Sequence, residues 1–185
     1  MDLPSKNEIV FCGRFVLFTI SWNLCEIQAR TILQLILGES EPASAIAAEI
    51  QNRSLSNAIR ASARDKRFAK HREHLEHFVT GYDLLLAYRN YYTHALVGVN
   101  GEGGSLLSIS AKGRLGMFEG NITVEELNSL QSDMQHLLGY ATAIRQELGD
   151  EGPSLPSVLV ALSASLEKPR WPKTLTKLPN YIQGP

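Results

Sequence analysis

The apolar residues of this chain recur every three to four positions through most of its first 150 residues, which is the spacing of one face of an α-helix. Three long segments carry this pattern, at residues 7–37, 69–96 and 123–148. The first has a stripe of core-type side chains, namely Phe11, Phe15, Phe18, Trp22, Cys25, Ala29, Ile32 and Ile36. We therefore expect a mainly α protein whose long helices share one core.

Residues that begin or end helices divide this pattern further. Gly38 predicts the end of the first helix, because glycine readily adopts the left-handed conformation of a helix stop. Pro42 fits the first turn of a second helix over 43–60, which would break near 54–56. Thr123, followed three residues later by an acid, predicts a capping box at the start of the last helix.

The helical spacing stops after Val97, where a glycine-rich cluster at 100–104 predicts a turn. Residues 106–110 and 115–118 have the length and composition of two short strands. We therefore expect a β-hairpin within about residues 98–120, between the third and the fourth main helix.

The end of the chain is rich in proline, since six of its eight prolines follow Glu151. Repeated proline excludes a long regular helix there, because each one removes a backbone donor and fixes φ. The predicted fold is an antiparallel four-to-five-helix bundle over residues 1–150 with a small β-hairpin insertion. A Pro-rich tail over 151–185 then docks on the bundle or is extended.

Charge and cysteine content exclude several classes of protein. The chain has 18 Lys and Arg against 19 Asp and Glu, so it is not a polycation that coats nucleic acid. Cys12 and Cys25 are too few for a disulfide scaffold or a four-cysteine zinc site, and both are expected to be buried thiols in a reducing cytoplasm. The most apolar stretch, 9–20, contains Arg14 and is shorter than the roughly 20 residues of a membrane span, so no membrane contact is expected.

One motif stands at the end of the third predicted helix, and it consists of Arg89, Asn90, Tyr91, Tyr92, Thr93 and His94. An arginine followed by a polar residue, with a histidine five positions after the arginine, resembles the signature of the HEPN domain superfamily. The resemblance implies a bundle of about four helices that dimerises, so that two copies of the motif face each other. Many HEPN proteins are metal-independent ribonucleases, and others serve in binding or assembly. The motif match covers six residues, and the helical layout over 7–148 agrees with it.

The chemistry of these residues suits RNA cleavage without a metal or other cofactor. His94 titrates near neutral pH and can act as general acid and base. Arg89 keeps its charge and can stabilise the phosphorane, while Asn90 can orient His94 or hold a phosphate oxygen. Tyr91 or Tyr92 can stack an unpaired base if its ring is exposed.

Helix geometry constrains how Arg89 and His94 can meet. Residues five apart lie about 140° apart around a helix, whereas Asn90 and His94, four apart, lie nearly one above the other. Arg89 must therefore reach around its own helix or meet His94 of a second copy. A site shared across a two-fold axis satisfies this geometry and predicts a homodimer.

Two other groups of residues are candidates for binding a ligand. Residues 53–72 contain seven cations and one acid, and Arg60, Arg64 and Arg67 within them are candidates for binding a phosphodiester backbone, unless the segment is a solvated helix face. His71, His74 and His77 recur at steps of three, which could place them on one side of a helix for a metal ion. The zincin order is absent, so an exposed charged face is the preferred interpretation and no metal is expected.

Two functions are consistent with these features. The first is a metal-independent endoribonuclease with its site at a homodimer interface. The second is a non-catalytic helical module that binds or assembles with a protein or nucleic-acid partner. The partners expected are a second copy of the chain, RNA and a regulatory protein. Exposure of Arg89 and His94 in a groove favours the enzyme, and burial with satisfied hydrogen bonds favours the module.

Overall fold

A computed structural model of the protein describes residues 4–93, 95–100, 103–110 and 116–149. Its helices are α1 (Lys6–Leu37), α2 (Glu41–Glu49), α3 (Asn52–Ser62), α4 (Arg72–Thr93) and α5 (Val124–Glu147), with a short 3₁₀ helix at Lys66–Phe68. Its strands are β1 (Ala95–Asn100), β2 (Gly103–Ser110) and β3 (Gly116–Ile122). The prediction of a mainly helical protein is confirmed. The predicted Pro-rich tail lies outside the described residues.

The long helix α1 packs against all four other helices. It begins at a capping box, in which the Glu8 backbone N–H donates to Ser5 Oγ and the Ser5 N–H donates to the Glu8 carboxylate. It ends at Gly38, as predicted, where φ is 94°. The predicted core stripe is buried except for Phe15, which is partly exposed. Cys25 is buried as predicted, but Cys12 is exposed because it lies off this stripe.

The opposite side of α1 is also apolar and faces solvent. We call this the outer stripe of α1, and it consists of Ile9, Val10, Val16, Leu17, Ile20 and Ile27, which are 41–60% exposed. Residues 9–20 are therefore buried on one face only. Because α1 is apolar on both sides, the spacing of the core stripe did not show that the other side stays exposed. By length and composition α1 could also cross a membrane, a test that core helices of soluble proteins pass as well.

The predicted second helix is two helices in the structure. Ser40 caps α2, and Pro42 lies in its first turn as predicted. The break falls at Ile50 and Gln51, both in extended conformation, and not near 54–56 as the sequence suggested. Leu55 and Ser56 are buried inside α3, and the Ser56 hydroxyl donates to the Arg53 carbonyl oxygen. A serine whose hydroxyl bonds its own helix does not interrupt it.

The direction of α4 relative to α1 follows from two aromatic contacts between these helices. Tyr92 packs edge-on against Phe18, whereas Tyr82, earlier in α4, packs against Trp22, so α4 runs antiparallel to α1.

Thr123 caps α5 as predicted and accepts from the Glu126 N–H. The reciprocal half of the predicted capping box is absent from this helix start, because the Glu126 carboxylate accepts from the Tyr92 hydroxyl at 2.6 Å.

The β segment is a three-stranded antiparallel sheet in the order β1–β2–β3, so the predicted two-stranded hairpin is incomplete. Residues 95 and 96 were assigned to the third helix, but Ala95 pairs with Ser108 and Leu96 with Leu107. Backbone pairing with β2 outweighs the local helical preference of these two residues, because strand formation depends strongly on tertiary context.

We predict that Gly104→Ala lowers the free energy of unfolding by about 1–2 kcal/mol, because an added Cβ would overlap the buried ring of Phe11. The matched variant is Gly13→Ala on α1, where an added Cβ meets nothing within 4 Å. Gly13→Ala should raise stability by up to about 1 kcal/mol, because alanine is the better helix former. Urea unfolding of the two variants measures this difference, and equal effects would contradict the contact between β2 and α1.

Candidate functional site

Arg89 and Asn90 lie near the C-terminal end of α4 and form one hydrogen-bonded pair. Asn90 is exposed and Arg89 is partly exposed. Arg89 Nη1 donates to Asn90 Oδ1 at 3.1 Å, and the Thr93 hydroxyl donates to the Arg89 carbonyl oxygen at 2.8 Å. Asn90 thus positions the guanidinium of Arg89. His94 lies outside the described residues, so its orientation by Asn90 stays a prediction.

This pair borders an open groove of about 440 Å³, a volume within the range of small-molecule sites. Three helices or their ends contribute to its walls, with Glu26 and Arg30 from α1, Gln51, Asn52 and Arg53 from the start of α3, and Leu86, Arg89 and Asn90 from α4. We call this the α3–α4 groove. The break between α2 and α3 is what brings the start of α3 beside the end of α4.

The charges of the groove are unevenly paired. Arg30 is fully engaged, since its guanidinium contacts Glu26 Oε1 at 2.7 Å and donates to the carbonyl oxygens of Ala47 and Ala48 at 2.5 and 2.7 Å. Arg53 and Arg89 have no carboxylate partner among the described residues. The lining therefore holds three cations against one neutralised acid, and its net charge is positive. A positive, donor-rich groove favours an anionic ligand.

The two tyrosines of the motif differ in accessibility. Tyr92 is 1% exposed, and burial together with the hydrogen bond to Glu126 raises the pKa of its hydroxyl. The condition under which Tyr92 could stack a base is therefore not met, because its ring is part of the core. Tyr91 is partly exposed and packs edge-on against Tyr92 at 5.3 Å between ring centres. A contact of Tyr91 with a base stays a prediction.

The predicted basic residues do not gather at the groove. Arg60 pairs with Asp83 at 2.8 Å and Arg67 with Asp65 at 3.0 Å, while Arg64 is exposed. Arg72 donates to the carbonyl oxygen of Arg64, which places Arg64 and Arg67 at the start of α4. That end is about 26 Å along the helix axis from Arg89, at 1.5 Å per residue. Their binding of RNA stays a prediction, and none of the three lines the groove that Arg89 borders.

Arg53 is the site residue that the sequence analysis missed. It was counted among the seven cations of 53–72 but not singled out. Its position depends on the start of α3, and the sequence placed the helix break three residues too late. The available signal was the run Gln51, Asn52, Arg53, a polar segment between two apolar helical patterns.

The three histidines are not an exposed charged face, which corrects the preferred interpretation. His74 Nδ1 and the Tyr140 hydroxyl form a 2.7 Å hydrogen bond, and the His77 ring packs edge-on against the same tyrosine. Burial raises the pKa of Tyr140 to about 12 and, with Lys70, lowers the pKa of His71. Within the part of the chain that the structure describes, no group of three or more His, Cys, Asp or Glu is placed to hold a metal ion.

A buried acid lies in α5 and is not part of the groove lining. Asp133 is 5% exposed, and its Oδ2 atom has no hydrogen-bond partner among the described residues. Burial raises the pKa of this carboxyl to about 6, while nearby His136 lowers it by less. The sequence signal was its place at helical spacing between Leu130 and Leu137 in an otherwise apolar stripe.

Comparisons of the chain with protein-family models, with curated proteins and with solved structures found no match. The HEPN resemblance therefore depends on the motif at 89–94 and on the helical layout that carries it.

Proposed function

We propose that the protein is a HEPN-like, metal-independent endoribonuclease of the cytoplasm, with a site shared by two copies of an antiparallel helical bundle. The observation that supports it is the position of Arg89 and Asn90. Both side chains border an open, positively charged groove, and neither is buried in the core. Both side chains are therefore accessible to a substrate, as the reaction requires.

Each step of the reaction is assigned to a residue of the motif. His94 removes the proton of a ribose 2′-hydroxyl, whose oxygen then attacks the adjacent phosphorus. The bond from phosphorus to the 5′-oxygen breaks, and that oxygen takes a proton from a histidine. Arg89, held by Asn90, stabilises the additional negative charge on the phosphoryl oxygens. The products are a 2′,3′-cyclic phosphate and a free 5′-hydroxyl, and Tyr91 is the candidate for contact with a base.

The experiment is incubation of the purified protein with a panel of RNAs in excess EDTA. We expect cleavage to persist, because the scheme needs no metal, and we expect 2′,3′-cyclic phosphate ends. The matched control is the same oligonucleotide with 2′-deoxyribose, which lacks the attacking hydroxyl and should stay intact. Failure to cut any RNA of a broad panel, or equal cutting of the deoxy control, would remove the enzymatic assignment.

A second function is favoured by a separate observation, the outer stripe of α1. Exposed apolar stripes of this length are typical of surfaces that bind another helix. In this alternative the chain is a helical assembly module, and two copies meet along α1 while the motif at 89–94 is structural.

For this alternative we expect Val16→Asp combined with Ile20→Asp to halve the mass of the particle in solution, because buried charges cannot be solvated in such an interface. The control is Ala45→Asp, at an exposed position of α2. Light scattering coupled to size-exclusion chromatography measures both masses. An unchanged mass in the double variant would exclude the outer stripe as the contact between copies.

A further inference from the structure

The α3–α4 groove offers many hydrogen-bond donors and few free acceptors. The Tyr82 hydroxyl donates to Asn52 Oδ1 at 3.0 Å, and Arg89 donates to Asn90 Oδ1. Both amide oxygens are thus engaged, which leaves the NH₂ group of each side chain as a donor. Arg53 and Arg89 add guanidinium donors that no described carboxylate engages.

The only carboxylate in the lining is already neutralised. Glu26 Oε1 accepts from both Nε and Nη2 of Arg30, at 3.3 and 2.7 Å. A cationic ligand would therefore compete with Arg30, whereas an anion meets the guanidinium groups of Arg53 and Arg89, which no described carboxylate engages. Charged oxygens that accept from several donors at once are the chemistry of a phosphate.

The groove is larger than a single ion needs. Its volume of about 440 Å³ suits a segment of chain of one or two nucleotides, and residues of α1, α3 and α4 line it. A single strand, whose backbone and bases are both accessible, can follow such an open groove. Arg53, from the first turn of α3, and Arg89, from α4, both line it.

We propose that the α3–α4 groove binds the sugar–phosphate backbone of single-stranded RNA, with Arg53 holding a phosphate next to the one that Arg89 contacts. This rests on the proposed ribonuclease function and adds a residue and a substrate class to it. Arg53 binds the substrate at a distance from the reacting bond. It therefore affects binding equally before and during the reaction, so its removal should appear as weaker binding of RNA.

The test is Arg53→Gln, assayed by fluorescence anisotropy with a 2′-O-methyl RNA, which binds but cannot be cut. We expect Kd to rise about tenfold, and the slope of log K against log salt to become shallower by about 0.7, the contribution of one lost phosphate contact. Arg53→Lys should recover part of the affinity, because it keeps the charge. Arg53 is exposed, so a thermal melt should show that the variants stay folded.

The matched control is Lys6→Gln, an exposed cation at the start of α1, about 30 Å along that helix from Glu26 of the groove lining. It should change neither Kd nor the salt slope by as much as Arg53→Gln does. Equal effects of the two variants, or no effect of Arg53→Gln, would overturn the inference even if the protein cuts RNA. If the protein binds RNA through Arg53 but cuts none, RNA binding in the α3–α4 groove is supported and the ribonuclease function is excluded. Absence of any RNA binding would overturn both.

Discussion

His94→Ala protein mixed with Arg89→Ala protein should recover RNA cleavage that neither variant retains alone. Each single variant should lose about 10²–10⁴-fold in kcat/KM, the usual contribution of a general acid–base or of a charge that stabilises the transition state. Residues five apart on an ideal helix would lie about 140° apart, so we expect a site built from Arg89 of one copy and His94 of another as the simpler geometry. A mixed dimer contains one His94→Ala copy and one Arg89→Ala copy. One of its two sites then carries both substitutions, and the other site carries neither.

The recovered activity has a defined upper limit. Random pairing makes half of the dimers mixed, and each of these carries one intact site of two, so about a quarter of wild-type activity should return. Co-expression of the two variants allows the copies to exchange, and initial rates on a fluorescent RNA measure the result. The control is His94→Ala alone at the same total concentration. Recovery that fails in proteins of dimeric mass would show that the site lies within one copy.

Asp133→Asn should change the pH dependence of the free energy of unfolding. The change should be larger than for the neutral replacement of any other charged residue in the described core. The folded-state pKa of Asp133 is about 6, above its ordinary value of 3.8, because burial disfavours the carboxylate. The folded protein therefore holds this proton more tightly than the unfolded chain does. Its contribution to stability is complete below pH 3.8 and is lost as the pH rises through about 6.

The size of the effect follows from the two pKa values. A difference of about two units corresponds to about 2–3 kcal/mol. Relative to Asp133→Asn, the wild type should lose that amount between pH 3.5 and pH 8, because asparagine stays neutral throughout. Urea unfolding at a series of pH values measures this difference. Glu76→Gln, at an exposed position of α4, is the control and should leave the pH profile nearly unchanged. Parallel profiles of the wild type and Asp133→Asn would contradict an unpartnered buried carboxylate.

Much of the helical structure could be predicted from spacing and from cap residues. The stop at Gly38, Pro42 in the first turn of α2 and Thr123 at the start of α5 all depend on interactions within a few residues. Neighbouring residues alone determine interactions of this kind, so the sequence is sufficient to predict them. The predicted end of α4 was too late because residues 95 and 96 pair with β2, which the spacing within α4 itself does not indicate.

The candidate site shows the same division. Arg89 and Asn90 are neighbours on one helix, and their pairing follows from the motif. Tyr92 and Arg60 each have a partner that no short-range pattern indicates, namely Glu126 and Asp83. Both partners are more than 20 residues away, and Tyr92 is buried through contacts with α1 and α5. Spacing therefore could not show that its ring is inaccessible.

By itself, the sequence determined where most helices begin, which side of α1 carries the core aromatics and which residues form the motif at 89–94. These are properties of segments, set by backbone geometry and by side chains a few positions apart. Only the tertiary structure decided that Arg53 joins Arg89 in one groove, that Arg64 lies at the far end of α4 and that the outer stripe of α1 stays uncovered in a single copy. Those features depend on how helices distant in the chain pack together, and no local spacing specifies that arrangement.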